Sequence, residues 1–177
     1  MSLKIDKVNE DIRVVDNLLP EKVFRPLQHW FTEGCRWQYC PYILGDGEDT
    51  DPDAYQFVHM FWDPCLGVVS PDMERIYPLI EVINPHVWLR IKANLNTKKD
   101  KVEVRDWHTD VGPYNHVTSI YYLNTCDGFT NFEDGTQVES VENRLLTFPS
   151  GKRHSGTACT DAKARIVLNL NYFPNRA

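Results

Sequence analysis

The C-terminal third of the chain alternates. In Arg165-Ile166-Val167-Leu168-Asn169-Leu170-Asn171, the apolar Ile166, Leu168 and Leu170 share one parity, and Arg165, Val167, Asn169 and Asn171 share the other. Successive side chains of a strand point to opposite faces, so this run predicts a strand with one apolar face and one polar face that carries a cation. The same period runs through 87–96, clearest from Trp88 onward, and through 116–124, where Thr118, Ile120, Tyr122 and Asn124 fall together. It returns in 144–148. Asp127-Gly128, Asp134-Gly135 and Pro149-Ser150-Gly151 punctuate these runs as turns. Shorter strands are predicted at 11–16, 35–42 and 55–62, and Lys101 to Arg105 leads into the stretch Asp106-Trp107-His108-Thr109-Asp110.

The period changes to a helical one in two places. From Pro20 to Glu33 the apolar positions are Val23, Phe24, Leu27, Trp30 and Phe31. Pro20 suits a first turn and Gly34 a stop, whereas Pro26 fits only if the helix starts late, near Lys22 or Val23. The second helix opens at Ser70-Pro71-Asp72, with Ser70 as its cap. It buries Ile76, Tyr77, Leu79, Ile80 and Ile83, bends at Pro78 and ends at Asn84-Pro85. Short strands with a turn signal about every eight to twelve residues predict a mainly β sandwich or barrel with both helices on the outside of one sheet. The acidic stretch 45–53 reads as a solvated loop, with a lid as the sharper alternative. A calcium loop is ruled out there because Phe57 stands where the closing Glu belongs.

At 177 residues the chain is long enough for one substantial core and predicts a single domain. Within it, about 1–86 would act as helix-and-strand support and about 87–174 as the barrel core. A net charge of −6 argues against nucleic acid, whose binding neutralises phosphates. No apolar run has the length of a membrane helix, and the first residues lack the apolar core of a secretory signal; the expected location is cytoplasmic. The cysteine count is odd, five, with no C-x-x-C, which fits reduced thiols better than a disulfide framework or a zinc site.

Candidate chemistry centres on His108 and Asp110. In extended backbone the two point the same way, so an imidazole and a carboxylate can grip one metal. A third ligand is needed, and His154, delivered by the Pro149-Ser150-Gly151 turn, is the best candidate. Two His and one carboxylate with open positions opposite is the arrangement of non-haem Fe(II) oxygenases. His29, His59 and His86 have no such company, and His116 is expected at the mouth or behind the ligands rather than on the metal.

The stretch from His108 to the C-terminus resembles the 2-oxoglutarate and Fe(II)-dependent dioxygenases, particularly the prolyl 4-hydroxylase-like branch. The resemblance rests on an ordered set: His108-x-Asp110, Ile120-Tyr121-Tyr122-Leu123-Asn124, Gly128-Phe129-Thr130-Asn131-Phe132, Arg144 to Pro149, His154 and Arg165. It implies a double-stranded β-helix, a cupin-like jelly-roll, with iron held by His108, Asp110 and His154. It also implies that Arg165 binds the distal carboxylate of 2-oxoglutarate, that Tyr122 assists it, and that Asn94 touches the same cosubstrate. Fe(II), 2-oxoglutarate and O₂ would then be the cofactors, with ascorbate in support. The implied activity is hydroxylation of a peptidyl, amino-acid or small-molecule substrate. The family often has Lys at the position of Arg165 and Gly-Gly before the Thr, where this chain has Gly128-Phe129, so the substrate class is left open. The alternative is a non-catalytic jelly-roll that binds a metal or small ligand. Nucleic-acid demethylation is disfavoured by the charge.

Overall fold

The computed structural model describes residues 5–43, 54–112 and 115–175; the acidic loop expected at 45–53 lies outside them. The strands are β1 (Ile5–Lys7), β2 (Arg13–Val15), β3 (Gln38–Cys40), β4 (Gln56–Asp63), β5 (Gly67–Val68), β6 (Pro85–Thr97), β7 (Val117–Tyr122), β8 (Phe129–Phe132), β9 (Gln137–Glu139), β10 (Arg144–Pro149), β11 (His154–Gly156) and β12 (Ala164–Pro174). The helices are α1 (Glu21–His29) and α2 (Tyr77–Ile83). The major sheet runs β1-β2-β10-β7-β12-β6-β4-β3, with β5 beside β4, and a minor sheet runs β11-β8-β9. Every pairing is antiparallel.

The long strand β12 sets the architecture. It lies between β7 and β6, and its alternation decides what each side of the major sheet does. Ile166, Leu168 and Leu170 join Tyr121, Ile91, Ala93 and Phe61 on the outer face, which packs against Phe24, Leu27 and Phe31 of the first helical segment and Ile76 and Leu79 of the second. Phe24, Phe31, Phe61, Ile76 and Leu79 are completely buried there. Burial of each such side chain stabilises the fold by about 1.5–3 kcal/mol. On the other face, Val167, Ile120, Tyr122, Leu146 and Phe148 close a second core against Phe132 and Val138 of the minor sheet. The space between the two sheets is thus apolar at the β10 side. At the β6–β12 side it opens into a polar cavity.

The N-terminal segment supplies strands as well as helices: β2 and β1 extend one edge of the major sheet and β4 and β3 the other. Asn143, in the left-handed conformation at φ 59°, ties this segment down. Its side chain accepts from the Leu19 amide at 2.9 Å and from the Tyr121 hydroxyl at 2.6 Å, and donates to the Leu19 carbonyl at 2.8 Å.

Two local expectations change, one in each helix. The first helix starts at Glu21, which leaves Pro26 inside it. Its ring denies the Lys22 carbonyl the usual donor four residues on, and Lys22 is exposed, so water can serve that oxygen. The helix then widens into a π-turn over Trp30–Gly34, closed by the Cys35 amide on the Trp30 carbonyl at 2.8 Å. The second helical segment begins as a 3₁₀ turn, Met73–Ile76, and Pro78 sits in the first turn of α2, where no donor is required. Residues 101–105 form no strand.

Candidate metal centre and anion pocket

His108 lies in the loop after β6 and His154 opens β11. The two form an isolated antiparallel bridge. Asp110 follows two residues after His108, and the three side chains converge. Asp110 Oδ1 lies 3.7 Å from His108 Nε2 and 3.9 Å from His154 Nε2. One ligand atom from each lies within 4.8 Å of the other two, the spacing of groups that can share one ion. The orientation of both rings fits a metal. His108 Nδ1 is 3.3 Å from the Asp106 carbonyl and His154 Nδ1 is 3.3 Å from the Lys152 carbonyl. A carbonyl only accepts, so each Nδ1 carries the proton and each Nε2 offers its lone pair to the centre.

The charges are arranged for the same purpose. Burial opposes ionisation of Asp110. The Arg90 guanidinium, whose Nη2 is 3.2 Å from Oδ1, outweighs it with help from both imidazoles and Asn171, and the carboxyl is held well below the usual carboxylate range. Asn171 donates to Asp110 Oδ2 at 3.1 Å and to Thr118 Oγ1 at 3.0 Å, and Arg90 Nε donates to Asn171 Oδ1 at 3.1 Å. For His154, burial lowers the pKa more than Asp110 raises it, which keeps the imidazole neutral and able to ligate.

Arg165 stands at the far end of the same cavity. It is 3% exposed, yet it has no carboxylate partner among the described residues. Its Nε donates to Ser140 Oγ at 2.6 Å, Nη1 to the Thr157 carbonyl at 3.3 Å and Nη2 to Thr130 Oγ1 at 3.1 Å. These neutral contacts aim the guanidinium without discharging it. A buried cation in that condition is costly unless an anion arrives. Three other arginines are occupied: Arg90 by Asp110, Arg144 by Asp16 and Arg153 by Glu133. Space for the guanidinium comes from two glycines. A Cβ on Gly128 would meet Arg165 Cδ at 2.7 Å and the Ala158 carbonyl at 2.5 Å, and one on Gly156 would meet Arg165 Nη1 at 3.3 Å.

Tyr122 and Asn94 take different places. Tyr122 is fully buried, its ring 5.5 Å from the Arg165 guanidinium carbon, and its hydroxyl donates to Thr130 Oγ1 at 2.8 Å. It supports Arg165 and Thr130 from behind; Thr130, not Tyr122, lines the cavity. Asn94 does line it, together with Lys92, Asn96, Val167 and Asn169. Sequence reading overlooked Thr130, Ser140 and Arg90. Thr130 was in view as the third position of the Gly128-Phe129-Thr130 motif. Arg90 and Lys92 share strand parity with Asn94, and that parity was the available signal.

The remaining histidines are placed elsewhere. His59 bonds the Arg36 carbonyl and Ser70 Oγ, at 2.9 and 2.8 Å, and packs against Phe61. His29 is exposed beside Glu33. His116, buried against Phe173 at the start of β7, does not line the cavity. All five cysteines are free. Cys126 and Cys159 lie beside Asp161, but Asp161 already accepts from the Asp127 amide at 2.9 Å, and burial pushes the Cys159 thiol up to about 11.

No family model and no curated protein matches the sequence. Solved structures do match the fold. A prolyl hydroxylase from Trichoplax adhaerens, in complex with a hypoxia inducible factor oxygen degradation domain peptide fragment, aligns at TM-score 0.61 and 15% identity over 93% of this chain and 84% of its own. A 2OG-Fe(II) oxygenase family oxidoreductase from Burkholderia pseudomallei aligns at 0.62 and 15% over 94% and 87%. HygX from Streptomyces hygroscopicus, with nickel and 2-oxoglutarate bound, aligns at 0.56 and 14% over 93% and 83%. The chain therefore has the jelly-roll fold of the 2-oxoglutarate/Fe(II) oxygenases, with a prolyl hydroxylase among its structural neighbours.

Proposed function

We propose that this protein is a 2-oxoglutarate- and Fe(II)-dependent dioxygenase that hydroxylates a peptidyl, amino-acid or small-molecule substrate. The observation that carries the reading is the pairing, across one cavity, of the His108–Asp110–His154 cluster with a buried arginine that has no carboxylate partner among the described residues. A dicarboxylate that chelates a metal at one end requires that pairing. The donor set fits Fe(II): two neutral imidazoles and one carboxylate, with room opposite for other ligands. When bound, Fe(II) with 2-oxoglutarate and O₂ supplies the oxidising chemistry, releasing succinate and CO₂.

The chain's own residues bind, orient and shelter. His108, Asp110 and His154 would hold the ion, and Arg90 and Asn171 fix the Asp110 carboxylate so that one oxygen faces it. Arg165, aimed by Thr130, Ser140 and Thr157, would receive the distal carboxylate, with Tyr122 steadying both Arg165 and Thr130. Asn94, whose Oδ1 has no hydrogen-bond partner among the described residues, is positioned to contact the cosubstrate. Ascorbate would serve as a reductant in solution. A peptide substrate is supported by the Trichoplax neighbour, which holds one. A cytoplasmic location is part of the same proposal; among the described residues no helix is long and apolar enough to cross a membrane.

The test is thermal. Ligand at a hundredfold over its dissociation constant stabilises by about 2.7 kcal/mol, roughly 5–10 °C for a chain of this size. Mn(II)-loaded protein should show that rise with 2-oxoglutarate, and Arg165→Leu should lose most of it while keeping the rise from metal alone. Succinate should form when Fe(II), ascorbate and O₂ are supplied. Metal binding with neither a 2-oxoglutarate shift nor succinate would favour the non-catalytic jelly-roll.

A further inference from the structure

The cavity holds a cation that the proposed cosubstrate chemistry does not use. Alternation along β6 puts Arg90, Lys92, Asn94 and Asn96 on the cavity face, opposite Asn171, Asn169, Val167 and Arg165 of β12. The cations at the two ends are accounted for: Arg90 holds Asp110, and Arg165 awaits the distal carboxylate. Lys92 lies between them. It makes no hydrogen bond or ion pair with any described residue. Burial, then the neighbouring Arg90, lowers its pKa, so its charged form lacks compensation. Asp110, a carboxylate whose charge acts on it, is committed to Arg90 and Asn171. Beside it, Asn94 Oδ1 and Asn169 Oδ1 are buried without a hydrogen-bond partner among the described residues. A lysine stem is long enough to reach solvent from most surfaces, yet here the side chain turns inward.

Its position decides between cosubstrate and substrate. Lys92 lines the inner cavity that contains Arg165. It also lines an outer groove walled by Cys40, Tyr42, Trp107 and Thr109, into which Arg165 does not reach. His108 and Asp110 border both spaces. The groove encloses ≈ 480 Å³, within the ~300–1,000 Å³ of small-ligand sites. A molecule entering by the groove meets Lys92 at the edge of the metal cluster, where the bond to be oxidised must lie.

We propose that Lys92 is the specificity-determining residue for the primary substrate, which it recognises through an oxyanion, a carboxylate or a phosphate, carried close to the reacting carbon. The inference rests on the dioxygenase reading. It accounts for a basic cavity in a chain of net charge −6.

The test uses the full-length protein loaded with Mn(II) and saturating 2-oxoglutarate, with inorganic phosphate and acetate as probes. The bound ion speeds relaxation of nearby nuclei, so the ³¹P signal of phosphate and the methyl protons of acetate report binding beside it. Saturable enhancement is expected for at least one probe. It should weaken about tenfold or more in Lys92→Met, which loses the charge but keeps an unbranched stem, and persist in Lys92→Arg. Both variants should retain the 2-oxoglutarate thermal shift. Enhancement by phosphate alone assigns a phosphorylated substrate, and by acetate alone a carboxylic acid. Undiminished enhancement in Lys92→Met, or none in the wild type, overturns the proposal while the dioxygenase reading stands. A 2-oxoglutarate shift that fails in Lys92→Met yet survives in Arg165→Leu overturns it too, making Lys92 the cosubstrate anchor. Failure of the wild type to retain Mn(II) removes both readings together.

Discussion

His108 and His154 exchange both of their backbone hydrogen bonds: each amide donates to the other's carbonyl, at 3.0 Å in both directions. The pair works as one rung of a sheet ladder added to the minor sheet, and it sets their rings 4.7 Å apart at 46°. Backbone contacts, not the side chains, therefore bring the two imidazoles together. Ordinary sheet pairing holds a loop residue beside a strand residue 46 positions away, so the backbone itself sets the spacing of the two ligands.

Since the rung is made of backbone, His108→Ala and His154→Ala should lose high-affinity Mn(II) binding while far-UV circular dichroism stays native. Asp110→Ala should lose it as well. His59→Ala, on the helix-packed face, should titrate like the wild type. Wild-type affinity in His154→Ala would remove that residue from the site.

Arg90 and bound metal stabilise the same carboxylate. Arg90→Met leaves Asp110 buried without its guanidinium, a loss of about 3 kcal/mol for one partner of a buried pair. Metal-free protein should melt roughly 6–12 °C lower. The rise on adding Mn(II) should exceed the wild-type rise, because the ion supplies the missing positive charge. A smaller rise would show that Arg90 organises the site for metal.

His154 makes stability depend on pH with a definite sign. Burial lowers its folded pKa below the ordinary histidine value, so the unfolded chain takes up the proton first. Stability from this group is complete above about pH 6.5 and falls as pH drops below that value. In metal-free protein, His154→Gln should flatten the fall in melting temperature between about pH 7 and 5. An equal slope in both proteins would mean that His154 does not titrate in that window.

Gly128 faces the stem of Arg165 and the Ala158 carbonyl, too close for a methyl group. Gly128→Ala should displace the guanidinium. The 2-oxoglutarate thermal shift should then shrink, while the Mn(II) shift changes little because the three ligands lie on other segments. A full 2-oxoglutarate shift in this variant would show that the loop can move aside.

The alternation of β12 and β6, the helical stretch after Pro20, the turns at Asp127-Gly128 and Pro149-Ser150-Gly151, and the His108-x-Asp110…His154…Arg165 order were legible because each is a local signal. Strand period, turn chemistry and motif spacing act over a few residues, and the chain carries them openly. The π-turn after Pro26 was not legible, since nothing in the spacing of apolar residues separates it from a continuing helix. What only the tertiary structure decided is which groups remain uncompensated. Arg90, Arg144, Arg153 and Arg165 look alike in the sequence. Folding gives the first three a carboxylate from a distant segment and leaves the fourth with hydroxyls and a carbonyl. Lys92 is likewise one more polar position on an alternating strand until the fold encloses it beside the metal ligands. Burial and pairing are properties of contacts between residues far apart in the chain, and a charge has a functional meaning only once those contacts have settled what it lacks.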